Sequence, residues 1–203
     1  MKFEDYLNHK NVFVYAFDDV IYPQKDYDLQ VYYLFAEFVE YLEQKPAKPL
    51  LATMQQYYSD HGANGLFDYL VNKEGLDAKY LTNFNTLFET ARLPLKLLMY
   101  QQTLHQLQQL VVDRKSIVLW LEGKPEIQVN KLKQLEWNNL ETYLTTYFAD
   151  EIQAHANEEA LNFVLLQHGW NKTDVVFVGT TTQHQNLANN SGIEFLSILD
   201  SIT

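Results

Sequence analysis

Continuous apolar runs alternate with amphipathic stretches along this chain, and their lengths separate strands from helices. Residues 12–17, Val12-Phe13-Val14-Tyr15-Ala16-Phe17, are apolar throughout; Asp18 and Asp19 follow, and the chain turns at Pro23. Such a run predicts a strand buried on both faces that delivers acids to the carboxyl edge of a sheet. Residues 28–44 place Leu29, Tyr32, Tyr33, Phe35, Ala36, Phe38, Val39 and Leu42 on more than one stripe, which predicts a helix buried on more than one side. Pro46 and Pro49 close it. Shorter helical patterns follow at 50–59, 63–72 and 78–89, punctuated by Gly62, Gly65 and Gly75. No strand pattern occurs between Tyr22 and Leu110, so a helical insert sits directly after the first strand. Residues 95–112 predict a longer helix and 116–121 a second buried strand. Gly123 turns the chain, and Pro125 suits the first position of a helix. A short third strand is expected at 146–152, and then a helix at 157–168 with Asn157 as its N-cap. A fourth strand is expected at 175–178, ending at Gly179, with a weak helix at 186–190 and a fifth strand at 193–198. Strands alternating with helices from residue 115 onward predict parallel βαβ units. The fold class is therefore α/β, a doubly wound parallel sheet with a helical insertion after strand 1.

Composition narrows the function classes. The 203 residues suffice for one sizeable core with a small inserted domain. A net charge of -11 with no basic stripe argues against a nucleic-acid partner. Cysteine is absent, which excludes disulfides, thiolate metal sites and cysteine nucleophiles. The amino terminus has no apolar core of a signal segment, and no stretch approaches the ~20 apolar residues of a membrane helix. A cytoplasmic protein without a membrane partner is the expectation. His9, His61, His105, His155, His168 and His184 form no i, i+4 pair, so no zinc site is expected.

Position 16 sits two residues before Asp18 and shares its direction from the strand end. An acid there would give two convergent carboxylates, but the residue is alanine. The frame around it, Tyr15-Ala16-Phe17-Asp18-Asp19-Val20-Ile21-Tyr22-Pro23, resembles the first motif of the haloacid dehalogenase (HAD) superfamily, in which strand 1 ends in Asp-x-Asp-x-Thr/Val. The second strand with Gly123 and Pro125-Glu126-Ile127-Gln128-Val129-Asn130-Lys131 is similar to the family's second motif. Val176-Phe177-Val178-Gly179-Thr180-Thr181 and Ser191-Gly192-Ile193 are similar in outline to its fourth. The likeness covers nearly the whole chain. It implies a HAD-like, Rossmann-like core over residues 1–22 and 96–203, and a helical cap over 23–95.

The resemblance also implies where the family's chemistry would sit. HAD phosphatases use one aspartate as nucleophile and a second as acid and base. The nucleophile position falls on Ala16 and the acid/base position on Asp18. The phosphate-binding hydroxyl falls on Leu121. The lysine near strand 3 falls on His155 or, failing that, Gln153. The acid after strand 4 falls on Thr180, and a later acid near His184 or Gln185. Mg²⁺ is expected for the family, but its side-chain ligands are missing here, so no cofactor is expected. Thr180 and Thr181 offer an anion cradle at a helix start, the plainer reading being a polar turn and cap. For Asp18 and Asp19 the plainer reading is a turn satisfied by backbone N–H groups, and for His155 and His184 two solvated loop histidines. The leading expectation is a phosphatase-like protein without phosphohydrolase activity that binds a small molecule or a partner protein. One alternative is a divergent hydrolase of a small phosphorylated metabolite, working through Asp18, His155 and His184. Another is a structural or homo-oligomeric role.

Overall fold

The computed structural model describes residues 2–155 and 159–198. In chain order the elements are α1 (Phe3–Leu7), β1 (Val12–Ala16), α2 (Gln24–Glu43), α3 (Ala47–His61), α4 (Leu66–Glu74), α5 (Leu81–Thr90) and α6 (Gln101–Val112). They continue as β2 (Ser116–Leu121), α7 (Pro125–Gln134), β3 (Leu144–Phe148), α8 (Ala149–His155), α9 (Ala160–His168), β4 (Val175–Gly179), α10 (Thr182–Ser191) and β5 (Glu194–Ser197). Two compact units emerge. One comprises Met1–Pro23, Leu98–Gln128 and Leu135–Thr203; the other comprises Gln24–Leu97 and Val129–Gln134. The second half of α7 thus groups with the helical unit, whereas the sequence reading puts it in the core.

The first unit holds a five-stranded sheet in the order β3-β2-β1-β4-β5, with every neighbouring pair parallel. This is the α/β class that the alternating pattern predicts. All residues of β1 and β4 are buried, as are all of β2 except Ser116. That explains why these strands read as unbroken apolar runs. From β1 the chain steps outward through β2 to β3, then crosses back to β4 and β5 on the other side. The direction of winding reverses between β1 and β4, so the segments that leave their carboxyl ends diverge and open a crevice where open α/β sheets place ligands.

At the opposite edge, Lys10 is buried, and its Nζ donates to Glu194 Oε1 and to the Thr173 carbonyl, both at 2.6 Å. Removing one partner of a buried pair costs about 3–5 kcal/mol. The Glu194 side chain is 45 % exposed, so Glu194→Ala is expected to cost less, about 2 kcal/mol. Urea denaturation measures it. A loss below about 0.5 kcal/mol would show that the Thr173 carbonyl alone satisfies the ammonium.

The helical unit packs Tyr32, Phe35, Val39, Met54, Leu66, Phe67, Leu70, Tyr80 and Phe84 into its own core. Phe84 meets Phe35 edge-on at 5.0 Å and Phe67 at 5.4 Å. At the end of α4, Gly75 takes φ 69°, a left-handed conformation that costs glycine little. The Leu76 N–H then closes back onto the Leu70 carbonyl at 3.1 Å.

Several boundaries differ from the sequence reading. The helix expected at 95–112 begins at Gln101. Leu95 and Leu98 are 71 % and 58 % exposed, and the Leu97 N–H is committed to the Gln134 carbonyl. The strand expected at 146–152 is Leu144–Phe148 and is followed at once by α8. Its partner β2 ends at Leu121, which pairs with Phe148, so no ladder remains beyond that residue. The helix expected from Asn157 is described from Ala160, and Asn157 itself lies outside the described residues. Helix α1, absent from the sequence reading, buries Phe3 and Tyr6, with Phe3 packed on Phe13 at 5.8 Å. Among the described residues, no helix is long and apolar enough to cross a membrane.

Candidate functional site

A cleft of about 180 Å³ lies where the winding reverses. Its walls come from the end of β1 (Ala16 to Asp19), from Trp120 and Glu122 at the end of β2, and from Thr180, Thr181, Gln183 and His184 after β4. Three separated segments meet here because parallel strands place their carboxyl ends on one edge.

The β1 segment ends in a tight turn. Strand pairing stops at Ala16, although the Phe17 N–H still reaches the Trp120 carbonyl at 3.1 Å. Asp19 then takes φ 58°, a conformation that aspartate tolerates better than most residues. Its N–H donates to the Tyr22 carbonyl at 3.0 Å. Strand alternation therefore does not extend to Asp19, and both Asp18 and Asp19 line the cleft.

Asp18 is partly buried and held from two directions. Its Oδ1 accepts the Tyr22 hydroxyl at 2.7 Å, and its Oδ2 accepts Gln128 Nε2 at 3.0 Å. Gln128 Nε2 also donates to the Glu122 carbonyl at 2.6 Å. Two acceptors on one nitrogen fix which end of the amide is NH₂. The remaining atom, Gln128 Oε1, is buried without a hydrogen-bond partner among the described residues.

The β4 segment is organised by His184. Thr181 caps α10, its Oγ1 accepting the His184 N–H at 3.1 Å. His184 Nδ1 accepts the Thr180 N–H at 3.3 Å, and Nε2 lies 3.4 Å from Glu122 Oε2. With Nδ1 acting as acceptor, the ring proton of the neutral imidazole belongs on Nε2, where it faces the carboxylate. The imidazole folds back over Gly179: a Cβ at that position would lie 2.7 Å from His184 Cβ.

Of the residues that the sequence reading places at the site, Ala16, Asp18, Thr180, Thr181 and His184 share this cleft. Leu121 is fully buried and His155 is exposed at the end of α8; neither lines the cleft. The Thr180 N–H and Thr181 Oγ1 are already engaged by His184. Glu122 and Trp120 were not singled out by the sequence reading, and Gln128, the Asp18 partner, entered it only as part of the second motif. Glu122 carried a signal, being the first residue after an apolar strand run that ends at the ligand-bearing edge.

Among the described residues, the lining includes Asp18, Asp19 and Glu122 but no lysine or arginine. Among the described residues, no group of three His, Asp or Glu is placed to hold a metal ion. Ala16 presents a methyl group to the cleft, and both Asp18 oxygens face hydrogen-bond donors.

No family model matches the chain, and no curated protein does. Solved structures do. A haloacid dehalogenase-like family hydrolase from Xanthomonas campestris is 14 % identical, with 92 % of this chain and 80 % of that one aligned at a TM-score of 0.54. The putative HAD-hydrolase YfnB from Bacillus subtilis, solved bound to magnesium, is 11 % identical over 92 % of this chain and 86 % of that one, at 0.59. A HAD family hydrolase from Deinococcus radiodurans, with bound phosphate and sodium, is 12 % identical over 93 % and 80 %, at 0.57. With its parallel five-stranded sheet and its helical insertion after β1, the chain has the fold of the haloacid dehalogenase-like hydrolases.

Proposed function

We propose that this chain is a HAD-fold protein without phosphohydrolase chemistry, acting by binding a small molecule or a partner protein. The observation that carries this reading is the methyl group of Ala16 at the end of β1, in a cleft whose charged side chains are acidic. A methyl group cannot attack phosphorus. Phosphoryl transfer depends on positioning and on cations that stabilise the charge spread over the phosphoryl oxygens. Carboxylates do the opposite. Two like charges 4 Å apart repel by about 4 kcal/mol at an effective dielectric of 20.

A second reading, a divergent hydrolase, draws support from Asp18, Glu122 and His184 lining one cleft. The two readings separate in an assay of the purified chain with Mg²⁺, p-nitrophenyl phosphate and a panel of phosphorylated metabolites, beside Asp18→Asn and His184→Ala. No turnover above buffer in any of the three proteins is the expected result. Turnover that either substitution abolishes would overturn the proposal.

A further inference from the structure

The helical unit carries a hollow of its own, about 450 Å³, walled by α2, α3 and the turn after α4. That volume falls within the range of small-molecule sites. Leu50 and Leu76 give it an apolar surface, and both are only partly buried. Four carboxylates surround them: Glu40, Glu43, Glu74 and Asp77. Lys45 is the lining cation among the described residues, and Lys79 Nζ stands 4.0 Å from Glu43 Oε1.

The position of these acids is unusual. Glu40 and Glu43 occupy the last turn of α2, which has no basic residue, and Glu74 is the last residue of α4. The carboxyl end of a helix carries partial negative charge and favours lysine or arginine. α2 thus ends at the hollow with carboxylates where the local rule asks for cations, and α4 adds Glu74 beside Lys73 in its own last turn. Departures from local rules concentrate at functional sites.

Part of this charge is held in place. Glu40 Oε2 accepts the Ala47 N–H at 3.1 Å. Glu43 Oε1 accepts the Tyr80 hydroxyl at 2.6 Å, and Oε2 lies 3.3 Å from Lys45 Nζ. These two contacts, the Tyr80 hydroxyl first, hold the Glu43 carboxyl below the usual carboxylate range. Asp77 is engaged by the backbone and side chain of Lys79. The Glu74 carboxylate lines the hollow without a hydrogen bond to any described residue.

We propose that this hollow binds an organic ammonium ion with an apolar tail, the head between Glu43 and Glu74 and the tail over Leu50 and Leu76. The charge of the walls selects against the carboxylate of the same tail. This proposal does not rest on the loss of phosphatase chemistry, since the hollow and the cleft belong to different units. Phosphatase turnover would leave it standing, and failure to bind an amine would leave the acidic cleft unchanged.

The test titrates n-octylammonium chloride and sodium octanoate, up to about 5 mM each, into the full chain, with backbone amide shifts as the readout. Octylammonium is expected to shift Thr53, Gly75 and Leu76, and octanoate to bind at least about tenfold more weakly. The double variant Glu43→Gln, Glu74→Gln is expected to lose about tenfold in octylammonium affinity. Should that variant fail to fold, Glu74→Gln alone, at an exposed residue, carries the test with an expected loss of about threefold. The proposal is overturned by any of four results. These are no octylammonium binding, equal binding of octanoate, shifts located away from the hollow, or unchanged affinity in whichever variant folds.

Discussion

Phe35→Ala is expected to cost the helical unit about 3–5 kcal/mol, the range for removing a large aromatic side chain from a packed core. Phe35 is fully buried on α2 and meets three other rings: Phe84 at 5.0 Å, Phe38 at 6.2 Å and Phe67 at 6.3 Å. The substitution removes the transfer energy of the ring and leaves a void that the neighbours cannot all collapse into. It also removes the edge-to-face attraction with Phe84, worth about 0.5–1.5 kcal/mol beyond the buried area. Phe35→Leu keeps most of the volume and is expected to lose about half as much. Denaturant titration followed by hydrogen exchange of the α2 and α5 amides provides the measurement. A loss below about 1 kcal/mol for the alanine variant would mean that this aromatic core is not closely packed.

The second large effect is expected at Gly179→Ala, at about 3 kcal/mol. The added methyl would lie 2.7 Å from His184 Cβ and 2.8 Å from its Nδ1. A rotamer change moves Nδ1 but not Cβ, which is fixed to the backbone of α10. The first turn of α10 must therefore shift, and the Thr181 cap and the Thr180–His184 hydrogen bond would be strained together. This geometry yields an internal control. Adding His184→Ala leaves the Cβ clash and should rescue little. Adding His184→Gly removes it and should restore about half of the loss, after allowing about 1 kcal/mol for glycine in a helix. The coupling energy from the two cycles is the readout. Equal rescue by alanine and glycine would contradict a clash at Cβ.

Much of the fold was legible because the central strands are buried on both faces. The second strand was read as residues 116–121 and is Ser116–Leu121. The first and fourth were read to within one residue of Val12–Ala16 and Val175–Gly179. At the sheet edge the pattern weakens. Leu144 to Phe148 is only partly buried, so Tyr147 and Phe148 read on into Ala149 and beyond as if the strand continued. What ends it is the length of β2, which no local window contains. The start of α6 was misplaced for a similar reason. Leu95, Leu97 and Leu98 have near-helical spacing, but the Leu97 N–H is taken by the Gln134 carbonyl, far along the chain.

At the site, Ala16, Asp18, Thr180 and His184 could be named because the resemblance to the HAD motifs puts them at or soon after the ends of β1 and β4. Their partners could not. Tyr22 is close in sequence, but its hydroxyl reaches Asp18 only because Asp19 turns through a positive φ. The pairing of Glu122 with His184 joins loops after different strands, and sequence spacing carries no trace of it.

The strand order has a consequence for how the chain assembles. β1 is made first and lies at the centre of the sheet, where Val12 pairs with Ser116 on one side and with Val175 on the other. Neither neighbour exists until the helical insertion and α6 have been synthesised. An apolar strand thus waits, unpaired, while the helices of the insertion, whose contacts are local, can collapse around Phe35 and Phe84. Loop closure over such spans slows folding, and exposed apolar strands invite aggregation. The turn at Asp18 and Asp19, whose hydrogen bonds to Tyr22 need no distant partner, is the one part of the cleft able to form in that interval.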